Sequence, residues 1–358
     1  MLTIISQTGN GVVGIKLSER KQAILAAIVE TYIHTGEPVG SKLLTGKLDL
    51  NVSPATVRSD MAWLFDMGYL EQPHTSAGRV PSHLGYREYI DSLMRPSPLT
   101  PEERGEIDSL FNVRNPDPDK LLEDAAEALS GYTNCATVTS SITSKTVHIR
   151  RLELIVAGSN TVVILLIASN GMIRNKVCRV DFLVSDKLVE FFNKFSNARL
   201  GGMSIDAVSS SYLNAMSVNL GEYSRIFNPI LGAIFELCKE MGDGQYYVSG
   251  SAKLLEYGEL NRLVRDLLLM LENRDSLQAL FSSGKDSQSF KIIIGKENQS
   301  MELSDSAVVM TGYEVDGVPA GTVGLIGPVR IDYARLIPHL EYFARTLGEL
   351  MTETLTRD

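Results

Sequence analysis

The five histidines, His34, His74, His83, His148 and His339, fall in no HxxxH or HExxH spacing, so no two can stand one helical turn apart as metal ligands. The three cysteines, Cys135, Cys178 and Cys238, lie at least 43 residues apart, which suits neither a zinc pair nor a disulfide framework and reads as buried small apolar residues. Ser249-Gly-Ser251-Ala-Lys253 brings a hydroxyl near a lysine, but with no supporting pattern it reads as a polar turn before a helix. Gly321-Thr-Val-Gly324-Leu-Ile-Gly327 is glycine-rich, yet it lacks the Gly-x-Gly spacing, the Lys-Ser/Thr pair and the helix start of a phosphate loop, and reads as a strand and turn. No metal, no cofactor and no nucleophile–base pair is expected, and the chain reads as one that is not an enzyme.

The residue types that do group are those of nucleic-acid recognition. Ser53-Pro54 is an N-cap followed by a first-turn proline, and it announces a helix ending at Gly68. At 100° per residue Val57, Met61 and Leu64 fall in one narrow arc that faces a core. Opposite lie Ala55, Ser59 and Ala62, flanked by Thr56 and Arg58: small residues with a hydroxyl and a guanidinium beside them can come close to base edges in a major groove. An outer face that is merely solvated is the competing reading. Next come a short strand, Tyr69-Leu70-Glu71-Gln72, a polar loop, His74-Thr75-Ser76-Ala77-Gly78-Arg79, and a return at Val80-Pro81 before Ser82 caps another helix. A wing directly after a recognition helix offers hydroxyls, a glycine for close backbone approach and one arginine for a phosphate or a minor groove. His74, taken alone, reads equally as an ordinary loop histidine.

The elements that must position these residues are helical. From the N-cap Ser18, a stripe of Ile24, Leu25, Ile28, Val29, Tyr32 and Ile33 runs to a stop at Gly36; after Glu37-Pro38-Val39-Gly40, Ser41 can cap a short helix carrying Leu43, Leu44 and Leu48. Three helices joined by short turns have helix-turn-helix dimensions. Charge agrees only locally. The net charge of -9 argues against bulk attraction to nucleic acid, but residues 16–95 hold nine Lys or Arg against nine Asp or Glu, and the remainder carries the whole excess. DNA binding is therefore expected of the first hundred residues, through local arrangement.

At 358 residues and 44% apolar side chains the prior is two or three domains. Residues 1–15, uncharged and holding Gly9, Gly11 and Gly14, read as a disordered leader. Arg95-Pro-Ser-Pro-Leu-Thr100 reads as a stiff linker and first boundary. A helix with Leu121, Leu122, Ala125, Ala126 and Leu129 follows, and then strands at Ala136–Ile142, Val147–Val156, Thr161–Ala168 and Met172–Val180. Helical signals from Ser185, with Phe191, Phe192 and Phe195, give way to strands at Phe290–Ile294, Ala307–Tyr313 and Gly321–Ile326 and to a closing helical stripe from Tyr333 to Leu350 around Pro338. Strands, helices and strands again predict one antiparallel sheet interrupted by an insertion at 185–255 in an α+β fold. No apolar run is long enough for a bilayer, the longest being Val162–Ala168, so a cytoplasmic protein without a membrane partner is expected.

Three runs carry a resemblance. Gly36-Glu-Pro-Val-Gly-Ser-Lys42, then Val52-Ser-Pro-Ala-Thr-Val-Arg58 with Asp60-Met61, then Leu70-Glu-Gln-Pro-His-Thr-Ser-Ala-Gly-Arg-Val-Pro81 with Gly85-Tyr-Arg87, closely resemble the heat-inducible transcription repressor HrcA family of bacteria, with weaker similarity in Gly324-Leu-Ile-Gly-Pro328 and Asp332-Tyr333. Ser59 stands where that family usually has Asn, and Trp63-Leu-Phe-Asp66 replaces a more acidic segment. The resemblance implies a winged helix-turn-helix domain at 16–95, a GAF-like domain at 100–184 and 256–358, and a dimerisation domain inserted at 185–255. It further implies a homodimer that represses chaperone operons through an inverted-repeat operator of double-stranded DNA, called CIRCE, with a GroEL-type chaperonin keeping the repressor active. The DNA-contacting residues it points to are Ser41, Ser53, Ala55, Thr56, Arg58, Ser59, His74, Thr75, Ser76, Gly78 and Arg79. A winged-helix regulator answering a small molecule held in its GAF-like domain is the alternative.

Overall fold

The structure, a computed structural model, describes residues 3–5, 17–46, 53–75, 77–111, 117–141, 147–169, 171–242, 244–257, 264–281, 289–298 and 300–356. The leader expected to be disordered contributes a strand, β1 (Thr3–Ile5), pairing in parallel with residues 289–291; the rest of that leader lies outside the described residues.

The N-terminal unit follows its periodicity. In α1 (Glu19–Thr35) Ile24, Leu25, Ile28, Val29 and Ile33 are buried, and Gly36 ends the helix in the left-handed conformation. Ser18 stands at the N-cap, but its side chain makes no capping bond. The short α2 (Ser41–Thr45) is capped by Gly40, not by Ser41, which is its first helical residue and is buried. The Leu48 expected on it lies outside the described residues. In α3 (Pro54–Asp66) the Ser53 hydroxyl accepts from the Thr56 N–H at 3.1 Å, as the Ser-Pro pair predicts. An antiparallel ribbon of β2 (Leu70–Glu71) and β3 (Val80–Pro81) leads to α4 (His83–Glu88), capped by Ser82, and one π-helical turn at Tyr89–Leu93.

The supposed linker does not isolate this unit. The Ser97 N–H donates to the Ala334 carbonyl at 2.9 Å, and the apolar core of α1, α3 and α4 runs on without a break into α5 (Pro101–Leu110), α6 (Pro118–Thr133) and one face of a large sheet. Arg87 ties the junction. Its side chain is almost wholly buried; it donates to the Glu297 carboxylate through Nε at 2.9 Å and through Nη2, to the Ile292 carbonyl at 2.9 Å and to Asp91 at 3.3 Å.

The large sheet begins at β4 (Ala136–Ser141). After it the chain leaves for a separate sheet of β5 (Ile149–Gly158), β6 (Thr161–Ala168) and β7 (Ile173–Arg179), then α7 (Asp186–Leu200), α8 (Ser210–Val218) and α9 (Ser224–Gly242), and returns as β8 (Tyr246–Ser249). Beyond α10 (Val264–Glu272) and α11 (Arg274–Phe281), β9 (Ser289–Ile294), β10 (Ser306–Val315) and β11 (Val318–Pro328) complete an order β1-β9-β10-β11-β4-β8, and α12 (Tyr333–Thr356) closes the described chain. The fold is α+β. On one sheet face lie α6 and α12, on the other α10 and α11.

The insertion is therefore larger than the predicted 185–255 and starts earlier. The flanks of β4 are taken by β11 and β8, so β5–β7 cannot join that sheet. Val162, Ile164, Leu166 and Ala168 instead bury one face of β6 in a core shared with Phe192, Phe227, Ile234 and Leu237. Alternation marks a half-buried strand without saying which sheet it enters. The insertion is pinned at its root by Arg174, which pairs with Asp119 of α6, while Tyr247 of β8 donates to the same carboxylate at 2.8 Å. Its edge strand β5 is clipped by two asparagines one turn apart on α7. Asn193 accepts from the Leu154 N–H at 2.7 Å and donates to the Leu154 carbonyl at 3.2 Å, and Asn197 repeats this on Leu152 at 3.0 and 2.6 Å.

Candidate nucleic-acid interface

The helix α3 is held from behind by a charge that sequence reasoning passed over. Asp60 falls among Val57, Met61 and Leu64 on the buried face. A carboxylate there must be paired to be tolerated, and its partners are Arg20 at 2.7 Å and Lys21 at 3.4 Å, both at the start of α1. Burial alone would push the Asp60 carboxyl up; the hydrogen bonds from Arg20 and Lys21 outweigh it and hold the group below the usual carboxylate range. An acidic residue inside an apolar i, i+3, i+4 pattern was the signal that could have found this lock.

With that face fixed, the opposite one is presented to solvent. Ala55, Arg58, Ser59 and Ala62 are exposed and Thr56 is half-buried. Arg58 makes no hydrogen bond or ion pair with the described residues, so its planar fork of donors stays available. The hydroxyls of Ser53 and Thr56 lie 3.0 Å apart at the helix N-terminus, where the backbone dipole favours an anion. Trp63 and Phe65, on either side of the buried Leu64, each carry a cation: Lys21 Nζ stands 4.8 Å from the Trp63 ring and the Arg79 guanidinium 4.8 Å from the Phe65 ring.

That second contact revises the wing. Arg79, expected at the tip, sits at the base beside the last turn of α3, where its backbone exchanges two hydrogen bonds of 2.9 Å with Val39. Gly78 serves the same junction: a Cβ there would stand 2.5 Å from the Val39 carbonyl oxygen, so its close approach is to the chain's own backbone rather than to a ligand. Gln72, absent from the sequence-derived set, donates to the Thr75 and Ala77 carbonyls at 3.0 and 3.1 Å and shapes the loop. His74 and Thr75 are exposed on that loop, and Ser76 lies outside the described residues. Ser41, buried under α2, offers least to a duplex.

The other chemistry weighed in the sequence goes to packing. Lys253 donates to the Ser130 carbonyl. Gly321 and Gly324 lie inside β11, where a Cβ would strike the Ser140 carbonyl and the Phe281 ring. Burial pushes the Cys135 thiol up to about 11 and the Cys238 thiol up to about 12, so neither is a thiolate at neutral pH. Among the described residues no group of three His, Cys, Asp or Glu could hold a metal ion, and no helix is long and apolar enough to cross a membrane.

Comparison with known proteins bears on the whole chain. A family model described as the HrcA protein C terminal domain matches residues 119–337. The heat-inducible transcription repressor HrcA of Clostridium botulinum (strain Alaska E43 / Type E3) is 34% identical over 339 residues, covering 94% of this chain and 98% of that relative. The protein of the same description from Clostridium acetobutylicum is 33% identical over 330 residues, covering 90% of this chain and 94% of its own length. A crystal structure of a hypothetical protein shares the fold, with a TM-score of 0.62 at 24% identity over 95% of this chain and all of that one.

Proposed function

The chain belongs to the HrcA family of heat-inducible transcription repressors, and from that premise we propose that it binds an inverted-repeat DNA operator as a homodimer, α3 reading the major groove and the β2–β3 ribbon acting as a wing on the flanking backbone. The observation that carries this reading is the outer face of α3. It is small and hydroxylated at Ala55, Thr56, Ser59 and Ala62, it has the uncommitted Arg58 at its side, and the Asp60 lock fixes its orientation. Arg58 reaches a base edge; Ser53, Thr56 and Arg79 take phosphates. His74, Thr75 and Ser76 reach the adjacent backbone or minor groove.

One such unit covers a half-site, so a repeated operator needs two copies related by a two-fold axis. The insertion is proposed as the dimerisation domain, through the outer face of its three-stranded sheet. There Val163 stands between Ile155 and Val177, and Ile167 faces Ile173, with Ile155, Ile173 and Val177 exposed. An apolar cross-strand cluster of this kind, rimmed by Arg151, Glu153 and Arg179, suits a self-complementary contact. The interrupted large sheet is proposed as GAF-like. Membership in the family also supports the CIRCE operator upstream of chaperone operons and dependence on a GroEL-type chaperonin, so that heat removes active repressor without a covalent switch.

A footprint of the full-length protein on its own genomic DNA tests the reading: a protected inverted repeat with two half-sites about one helical turn apart is expected, and uniform weak protection that disappears with modest salt would overturn it.

A further inference from the structure

We propose that the cavity between the large sheet and the α10–α11 pair binds a small organic ammonium compound with an apolar body, and that Glu297 couples this site to the DNA-reading unit. The cavity measures about 610 Å³, ample for such a molecule. Leu269, Met270 and Ile293 line its apolar part, and three carboxylates, Asp266, Glu297 and Glu302, share the lining with one basic residue, Lys291. Lys291 is buried, and burial lowers the pKa of its ammonium, so the lining favours a cation.

Asn298 supplies a specific acceptor. Its residue is 9% exposed, and its Nδ2 donates to the Gly295 and Leu303 carbonyls at 3.0 and 3.3 Å, which fixes the amide orientation. The Oδ1 so oriented has no hydrogen-bond partner among the described residues. A buried amide oxygen left unmatched is costly unless a donor reaches it. An ammonium has three N–H donors for this oxygen and for the neighbouring carboxylates.

Glu297 belongs to two structures at once. It lines the cavity, and it is the carboxylate on which Arg87 of α4 closes, with the Ile294 N–H as a further donor at 3.0 Å. A ligand ammonium that shares this carboxylate weakens the Arg87 contact and loosens the seating of α4, and with it the wing and α3. The effect on DNA rests on the function proposed above; the binding site does not.

Calorimetry on the full-length protein without DNA, using phenethylammonium chloride, phenethyl alcohol and phenylpropionate, reads the site directly. The ammonium should bind about tenfold more tightly than the alcohol and the anion. Ser276→Trp at the cavity wall should abolish the binding, Glu302→Gln should weaken it, and neither should move the unfolding midpoint. Equal binding of the three compounds, or binding indifferent to both substitutions, overturns the site. Hydrogen exchange across residues 83–92 should quicken on ammonium binding; exchange unchanged under saturating ammonium overturns the coupling. A protein that passes both tests yet binds no duplex in any condition refutes the DNA-binding reading and leaves the site standing.

Discussion

Replacing Gly78 with alanine sets a single methyl group against the backbone that seats the wing. An ideal Cβ at this position would lie 2.5 Å from the Val39 oxygen, 2.6 Å from its carbonyl carbon and 2.8 Å from the Pro38 carbonyl carbon. All three are main-chain atoms, so the ribbon and the Pro38–Val39 segment must part by roughly 1 Å before the contact becomes tolerable. The two Val39–Arg79 hydrogen bonds, each 2.9 Å, then stretch past useful length. At about 0.5–1.5 kcal/mol net apiece, their loss costs ~1–3 kcal/mol. Alanine is otherwise compatible, since Gly78 is not in the left-handed region, and its stiffer unfolded chain returns ~0.4–1 kcal/mol. Urea unfolding should therefore place Gly78→Ala below the parent by ~0.5–2 kcal/mol. Gly105→Ala is the internal control: that glycine is exposed within α5 with no heavy atom within 4 Å of the point a Cβ would occupy, and the change should stabilise by ~0.5–1 kcal/mol. A Gly78→Ala protein as stable as Gly105→Ala would refute the steric argument, and unchanged DNA affinity would separate the wing from binding.

Other outcomes follow from the same geometry. In gel-shift titrations Arg58→Ala should lose ~1–3 kcal/mol of discrimination between operator and random duplex, whereas Arg79→Ala should weaken both alike and lower the salt slope by about 0.9; equal losses for both variants on both duplexes would remove Arg58 from base reading. Asp60→Asn should destabilise at neutral pH by ~1–2 kcal/mol, discounted because Arg20 is half-exposed. Because the folded carboxyl sits below its ordinary 3.8, the lock's contribution is full above about pH 4 and is lost as pH falls through the depressed folded value, so parent and variant should converge in acid denaturation. Val177→Lys, at a residue 66% exposed, should turn the dimer into a monomer in light scattering while leaving the unfolding midpoint within about 0.5 kcal/mol.

Local signals were legible in the sequence wherever one stretch of chain settles its own conformation. Ser53-Pro54 starts α3, Ser82 caps α4, Gly36 ends α1, and strand β6 runs between the predicted limits, because capping, φ preference and side-chain alternation act over a few residues. What remained hidden depends on distant partners. The strands β5–β7 alternate as a half-buried sheet must, but only the occupied edges of β4 exclude them from the larger sheet. The four-residue β8 is too short to stand out, and it is a strand because β4 offers it an edge. At the interface, the helix face could be read off because it repeats every turn, whereas the seat of Arg79 could not, since Val39 lies forty residues away and an isolated bridge has no sequence signature.

The two asparagines of α7 bear on how copies of this chain can associate. An open strand edge accepts any extended segment with the right spacing, and assemblies that grow by that route have no built-in end. Asn193 and Asn197 each offer one donor and one acceptor to alternate residues of β5, which is what an incoming strand would have brought. Side-by-side extension is thereby blocked on that border, and contact through the broad apolar side of the sheet is left, a self-matching contact that is complete at two copies. Helix α7 thus acts as a stopper. Should heat lift it off, the same border would be open to other chains, and a soluble regulator would become material for a chaperone.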